Sequence, residues 1–265
     1  MTVRQIIEAL ERFAPLNLQE QYDNSGLQVG FPGTEVTGIL VSLDITEDII
    51  DEAVSRGCNL VVSHHPLLFH PLKCVSDAAW QQRCVVKALS NKIALYSAHT
   101  NLDNARGGVN FKIAEKLGLK VTDWLSPVEG RDAGSGLIGE LPSAEEAESF
   151  IARVQQSFGI PCLKHTAAAG KTVRKVALCG GAGAFLLRDA LKKGADCFIT
   201  GEFHYHDFFD GEGMLLMELG HWHSEQFTCN LLEGIIKKNF PDADVKLSGI
   251  CTDPVEYSFA PAKTD

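Results

Sequence analysis

The feature that most constrains the fold is a short apolar run, Leu60–Ser63, which leads directly into His64, His65 and Pro66. Four apolar or small residues between Gly57 and Pro66 are typical of a buried strand in a parallel sheet. The carboxyl ends of such strands are where α/β folds bind ligands, so the two histidines are predicted at the mouth of a crevice. Adjacent side chains of an extended chain point to opposite sides and could reach two positions. The alternative is a strand end with two solvated histidines.

A βαβ unit surrounds this run. Gly38–Asp44 is predicted to be a strand, and Thr46 is predicted to cap a helix that Gly57 ends before the histidine strand. The next strand, Ile93–Tyr96, precedes His99. This order of strand, helix and strand favours an α/β fold with helices packed on a sheet. The crossover between its parallel strands should be right-handed, as it is almost without exception.

The second half of the chain repeats this order. A strand is predicted at Val173–Leu178 and a helix at Ala184–Lys193, and Gly194–Gly201 follows the pattern of the segment that ends at His64. We therefore predict an internal duplication, although chance similarity between the two halves is the alternative. The fold class would be α/β, with two similar three-layer αβα halves that are intertwined and a cleft between their strand ends.

The predicted halves are residues 1–125 and residues 126–265. The Gly-rich polar segment 126–136 marks the boundary, and the C-terminal segment is expected to pack back on the first half. A capping box at Ser143–Glu146 is predicted to open a helix that runs to about residue 158.

Residues that can bind metal collect at the predicted strand ends. They are His64, His65, His99, Asp103, Glu202, His204, His206, His221, His223 and Glu225. His221 and Glu225 are four residues apart at a predicted helix start, for which Ser224 is a candidate cap, so they share one face. Imidazoles with carboxylates suit Zn, Fe, Mn, Co or Ni better than Ca or Mg. Any one of these residues alone could be solvated at a loop tip, but their joint placement favours a site.

Five separated motifs support a family assignment. They are Asp23–Leu27, His64–Pro66, His99–Asp103, Thr200–His206 and Gly220–Glu225. Together they resemble the NIF-three-like family, whose members are also named GTP cyclohydrolase 1 type 2 homologues. The resemblance implies two similar α/β halves, a dinuclear metal centre in the cleft between them, and a ring-shaped homohexamer whose sites face an internal cavity.

The same resemblance implies roles for individual residues. By motif match, two divalent metal ions would be bound by His64, His65, Asp103, His221 and Glu225, with Asp103 or Glu225 bridging them. Glu202 and His206 match positions that line the cleft, and we predict that they transfer protons or support the ligands. His204 and His223 match no motif of the family, and the role of His99 stays open.

The predicted function is that of a metal-dependent hydrolase whose metal-bound hydroxide attacks a small-molecule substrate. The family label would make that substrate a nucleotide. A triphosphate would need lysine or arginine near the site, for which only Arg106 and Arg131 are candidates. The alternative is a non-catalytic metal-binding protein that regulates or delivers metal through a partner.

Composition excludes several other functions. A net charge of −10 over 265 residues argues against binding to a nucleic-acid duplex. No apolar run is long enough to cross a bilayer, so no membrane partner is expected. The eight cysteines form no C-x-x-C motif, which favours free thiols in a reducing compartment and predicts a cytoplasmic location.

Two further segments each allow two interpretations. Cys179–Gly183 could be a tight strand-to-helix turn or could bind an anion through its backbone amides. Phe203, Tyr205, Phe208 and Phe209 could stack on a base or could pack in the core.

Overall fold

The structure is a computed structural model that describes residues 1–259. Within these residues, no helix combines the length and the apolar character that crossing a membrane requires. Residues 1–259 form two sheets and nine α-helices. The helices are α1 (Val3–Phe13), α2 (Glu47–Ser55), α3 (Trp80–Ser90), α4 (Thr100–Asp103), α5 (Val109–Lys116), α6 (Ala147–Phe158), α7 (Leu187–Lys192), α8 (His221–Glu225) and α9 (Thr228–Asn239).

The first sheet has five strands. Their order is β1 (Gly26–Val29), β4 (Ala94–Ser97), β3 (Leu60–Ser63), β2 (Ile39–Ser42) and β11 (Val245–Leu247). The pairs β4–β3, β3–β2 and β2–β11 are parallel, and β1 is antiparallel to β4. All residues of β2, β3 and β4 are buried, which explains their continuous apolar sequences because both faces of a parallel sheet are covered. The predicted buried strand before His64 is therefore confirmed.

The second sheet has six strands. Their order is β5 (Lys120–Pro127), β6 (Gly134–Glu146), β8 (Thr172–Cys179), β9 (Cys197–Thr200), β10 (Leu215–Glu218) and β7 (Lys164–His165). Strands β8, β9 and β10 are parallel neighbours, as β2, β3 and β4 are in the first sheet. The other three strands pair antiparallel.

Strands β5 and β6 pair through Ser126–Ser135 and Pro127–Gly134, so within the segment 126–136 only residues 128–133 form a turn. One local expectation was wrong. The capping box at Ser143–Glu146 does not form, because Glu145 and Glu146 pair with β8 and the helix α6 begins only at Ala147. Here the hydrogen bonds of the sheet outweigh a local capping pattern.

The two sheets share one layer of helices. The largest core cluster contains residues from α1, α5, α6 and α9 together with one face of each sheet, for example Val62 of β3 and Ile199 of β9. A second cluster packs α2 and α3 on the outer face of the first sheet. A third packs α7 on the outer face of the second sheet. The α/β fold with two lobes is therefore confirmed, and the shared helices intertwine them.

Candidate metal centre

Two neighbouring histidines follow strand β3. The backbone N–H groups of His64 and His65 both donate to the carbonyl oxygen of Leu43, at 3.1 and 2.9 Å, which fixes the chain where the strand ends. His64 is fully buried, and its Nδ1 donates to the carbonyl oxygen of Ala98 at 2.8 Å. His65 Nδ1 donates to Asp44 Oδ1 at 2.7 Å. Each ring therefore has its Nε2 free to act as a ligand, as is usual for histidines that bind metal.

His99 completes a group of three imidazoles. It follows strand β4, and its Nδ1 donates to Asp23 Oδ1 at 2.8 Å. Its ring centroid lies 5.3 Å from that of His64 and 5.5 Å from that of His65. A ligand atom from each of these three residues lies within 4.8 Å of the other two. The residue whose role the motifs left open thus lies beside the predicted ligands.

Glu225 of α8 lies at the centre of the site. It is buried, and its Oε1 is 3.7 Å from His64 Nε2. Its Oε2 is 3.0 Å from His65 Nε2 and 3.2 Å from His221 Nε2. Asp103 of α4 approaches His64 from the other side, with 3.6 Å between Oδ1 and Nε2. The two oxygens of one carboxylate therefore face two different sets of imidazoles.

His221 and Glu225 share one face of α8. His221 Nδ1 donates to Glu202 Oε1 at 2.8 Å, so Glu202 orients the ring and leaves Nε2 facing Glu225. The helix begins at His221 after Gly220, so the assignment of Ser224 as its cap was wrong. Ser224 Oγ instead accepts from Gly181 N at 3.0 Å and donates to the carbonyl oxygen of His221 at 2.7 Å.

Two buried polar atoms at the centre have no hydrogen-bond partner among the described residues. They are His64 Nε2 and Asp103 Oδ1. Leaving such a group unpaired costs roughly 1–3 kcal/mol. A cation held between a nitrogen and an oxygen ligand would satisfy both atoms, and this mixed donor set is one that Zn, Fe, Mn, Co and Ni accept. The residues present therefore fit a metal ion.

The electrostatics of the cluster are those of imidazolium rings around ionised carboxylates. Burial alone would lower the pKa of His65, but hydrogen bonds with Asp44 and Glu225 raise it to about 9. Burial likewise opposes protonation of His221, yet Glu202 and Glu225 raise its pKa to about 11. Burial raises the pKa of Asp103. Burial has the same tendency at Glu225, but His64 and His221 outweigh it and lower the pKa well below its usual range.

Residues 1–254 match the Duf34/NIF3 (NGG1p interacting factor 3) family. The chain belongs to the DUF34/NIF3 family. This confirms the family that the five motifs indicated.

Relatives of this family match nearly the whole chain. A GTP cyclohydrolase 1 type 2 homolog of Clostridium perfringens is 35% identical over 264 residues, covering 97% of this chain and 100% of the relative. A protein with the same name from Clostridium acetobutylicum is 32% identical over 266 residues, covering 97% of this chain and 99% of the relative. A solved structure of a Staphylococcus aureus hypothetical protein has a TM-score of 0.89 at 26% identity, covering 97% of this chain and 99% of that one.

Not every residue of the DUF34/NIF3 motifs lies at the centre. Glu202 lines the cavity, but His206 is exposed on a turn, packs against Tyr205 and Phe209, and lies outside the cavity of the single chain. His204 is also exposed. His223 is buried and lines the cavity away from the ligands, with its ring centroid 6.0 Å from that of Tyr257.

The structure also shows two carboxylates to which the sequence analysis assigned no role. Asp44 and Asp23 orient His65 and His99, respectively. Asp44 directly follows strand β2, which is the parallel neighbour of β3, so the adjacency of two strand ends could have indicated it. Asp23 lies in a loop before β1, and its contact with His99 depends on tertiary structure.

Cys179–Gly183 forms a tight turn beside the metal centre. Its amides are used within the protein, because Gly180 N donates to Asn110 Oδ1 and Gly183 N donates to Thr200 Oγ1, at 3.0 and 2.9 Å. Gly181 has φ of +58°, and a Cβ added there would lie 2.5 Å from Glu225 Oε1. The glycine therefore makes room for the central carboxylate, and anion binding by these amides was not borne out.

The aromatic segment near the cleft divides into two parts. Phe203 is buried, and its ring centroid is 5.7 Å from that of Phe198 and 5.2 Å from that of Phe208, so these rings pack in the core. Tyr205 and Phe209 are exposed and do not line the cavity. The prediction that these aromatic residues pack in the core therefore holds for Phe203 and Phe208.

Proposed function

We propose that this DUF34/NIF3 protein binds two divalent metal ions and hydrolyses a small-molecule substrate with their help. The observation that carries the proposal is the position of Glu225, whose Oε1 faces His64 and whose Oε2 faces His65 and His221. A carboxylate that presents separate oxygens to separate ligand groups is the arrangement by which two-metal hydrolytic sites hold neighbouring ions.

The residues divide between two positions. The first would be bound by His64, Asp103 and Glu225, and the second by His65, His221 and Glu225. His99 forms a further group with His64 and His65, and we assign it to the first position, because its ring lies 5.3 Å from that of His64 and 5.5 Å from that of His65. This division favours Glu225 over Asp103 as the bridging ligand, and it adds His99 to the ligands expected from the motifs. Each imidazole is oriented through Nδ1, by a carboxylate for three of them and by a backbone carbonyl for His64. Such partners fix the ring and strengthen its Nε2 as a ligand.

Ions bound there would polarise the substrate and lower the pKa of water toward neutrality. The chain itself supplies a base at the edge of the cavity. Hydrogen bonding from His221 lowers the pKa of Glu202, so this carboxylate is ionised at neutral pH. Glu202 is exposed and accepts from His221 only through Oε1, so we assign its Oε2 the transfer of protons from water. His206 lies outside the cavity, and we assign it no step in the single chain.

Family membership supports the rest of the proposal. Relatives named GTP cyclohydrolase 1 type 2 homologs make a nucleotide one candidate substrate. The resemblance also supports a homohexamer, and the cysteine pattern supports a cytoplasmic location. Light scattering of the purified protein tests the hexamer, since six copies of a 28.8 kDa chain differ clearly in mass from a monomer or dimer.

Turnover assays test the hydrolase. Protein purified with its native metals is incubated with nucleotides, phosphoesters and cyclic amides, beside Asp103→Ala, Glu225→Ala and the control Glu233→Ala. Glu233 lies on α9, pairs with Lys237 and does not line the cavity. The proposal expects turnover that both site variants abolish and the control retains. Transfer of metal to metal-free acceptor proteins, with no turnover of any compound, would overturn it and favour the delivery alternative.

A further inference from the structure

We propose that the cleft accepts an uncharged, planar nitrogen heterocycle bearing N–H groups and discriminates against a nucleoside triphosphate. This inference rests on the proposed function, because the heterocycle would lie against the same metal centre. It is carried by the charge and the aromatic lining of a cavity of 790 Å³ that opens from that centre. This volume is within the range of small-molecule sites.

The cavity has an excess of negative charge. Seven carboxylates line it, and within residues 1–259 the only lysine or arginine that does so is Lys164. The carboxylates are those of Glu20, Asp44, Asp103, Glu202, Glu218, Glu225 and Asp253. Two divalent ions together with one lysine would not neutralise all of them. A triphosphate would therefore enter a site that stays negative after the metals are bound, and juxtaposed like charges oppose binding.

The single lysine is already paired. Lys164 Nζ donates to Glu218 Oε1, and Glu218 is buried and accepts from Phe203 N through Oε2 at 3.2 Å. Moving Lys164 onto a phosphate would leave a buried carboxylate without its cation, which is costly. The two arginines considered from sequence do not help, because Arg106 pairs with Asp132, Arg131 donates to a backbone carbonyl, and neither lines the cavity.

Aromatic rings flank the metal centre on both sides. On one side Phe69 lies with its ring centroid 6.0 Å from that of His99 and 6.2 Å from that of Tyr22. On the other side Trp222 follows His221 in α8, and it lines the cavity with Phe185 and Tyr257. Tyr22 and Phe185 are 63% and 61% exposed, although large aromatic side chains are usually covered. Exposed rings around a polar centre are suited to stacking on a planar ligand.

The remaining carboxylates complement N–H donors. Glu20 and Asp253 line the cavity, and neither makes a hydrogen bond with the histidines that the proposed function assigns to the metals. Asp253 is oriented by the N–H of Val255, which donates to Oδ1 at 3.0 Å. Ionised carboxylates only accept hydrogen bonds, so they match ring or amino N–H groups and repel phosphate oxygens.

Titration calorimetry of the metal-loaded protein tests the inference with two matched pairs of probes, guanosine with GTP and adenosine with ATP. The affinity for inorganic triphosphate measures how much the metals alone contribute to the binding of the phosphate chain. We expect at least one nucleoside to bind about 10-fold more tightly than its own triphosphate, since juxtaposed like charges cost at least that factor. Failure of both nucleosides to bind, or tighter binding of both triphosphates, would overturn the inference.

Variants then test the aromatic lining. Tyr22→Ala and Trp222→Ala should each weaken nucleoside binding by about 10-fold, the usual contribution of one stacked ring, with metal content unchanged. Phe209→Ala is the matched control, because Phe209 is 69% exposed and lies outside the cavity. Equal affinity in all three variants would contradict stacking. Calorimetry needs no turnover, so the two proposals can fail separately. Nucleoside binding together with no turnover of any compound in the assays above would refute the proposed hydrolase and leave this inference standing.

Discussion

Replacing the central carboxylate by an amide of the same shape is the most direct test of the metal centre. In Glu225→Gln the side chain keeps its volume beside Gly181 but loses the charge that faces His64, His65 and His221. Groups that merely orient a ligand contribute about 10–100-fold to metal affinity. A carboxylate in contact with both positions should therefore contribute at least about 100-fold at each, or about 2.7 kcal/mol.

The assay is the metal content of protein dialysed against a weak chelator, measured by mass spectrometry, beside melting curves that confirm folding. We expect two ions per chain in the unchanged protein and fewer than one in Glu225→Gln. His221→Ala, which alters one position only, should retain one ion. Glu233→Gln is the matched control on α9 and should retain both. Loss of a single ion from a folded Glu225→Gln protein would refute the bridging geometry, because that carboxylate would then serve one position only.

Three other predictions concern the same region and the core. Metal binding at pH 7 should release protons, because pKa values of about 9 for His65 and about 11 for His221 keep both rings protonated in the metal-free protein. Metal affinity should therefore rise with pH. Calorimetry in buffers of different ionisation enthalpy should detect the released protons. Asp23→Asn should weaken only the position that contains His99, by about 10–100-fold in chelator competition, and an equal loss at both positions would contradict it. Tyr96→Phe should stabilise the protein by about 1 kcal/mol in urea unfolding, since the buried hydroxyl has no partner within residues 1–259; a clear loss of stability would show that the hydroxyl is satisfied.

The catalytic candidates from the motifs differ in how the fold treats them. Glu202 follows β9 and contacts His221, whereas His206, four residues later, turns outward to Tyr205 and Phe209. Both residues belong to the motif Thr200–His206, so the sequence alone predicts a catalytic role equally for each of them. Their positions differ because the chain leaves the sheet after β9 and then forms a short helical turn at Tyr205–Phe208. Within this turn, the direction of each side chain relative to the cavity changes from one residue to the next.

The amino-acid sequence alone indicated the parallel strands of each half and their order along the chain. Continuous apolar runs such as Leu60–Ser63 are buried only where both faces of a sheet are covered, so they indicated parallel strands in each half. The polar residues that follow these strands indicated the edge of the sheet at which a site would form. Local patterns failed where long-range pairing competed with them, as at Ser143–Glu146, because the hydrogen bonds of β6 with β8 were not visible in the local sequence.

Only the tertiary structure decided which side chains meet. Asp23 and His99 are 76 residues apart, and His65 and Glu225 are 160 apart. No local spacing encodes these contacts, because they arise when the two sheets close on their shared layer of helices. The same closure gathers seven carboxylates, one paired lysine and several exposed aromatic rings around one cavity. The motifs therefore predicted a metal-binding edge, while the packing of the two lobes set the position of Glu225 and the charge that a ligand would meet.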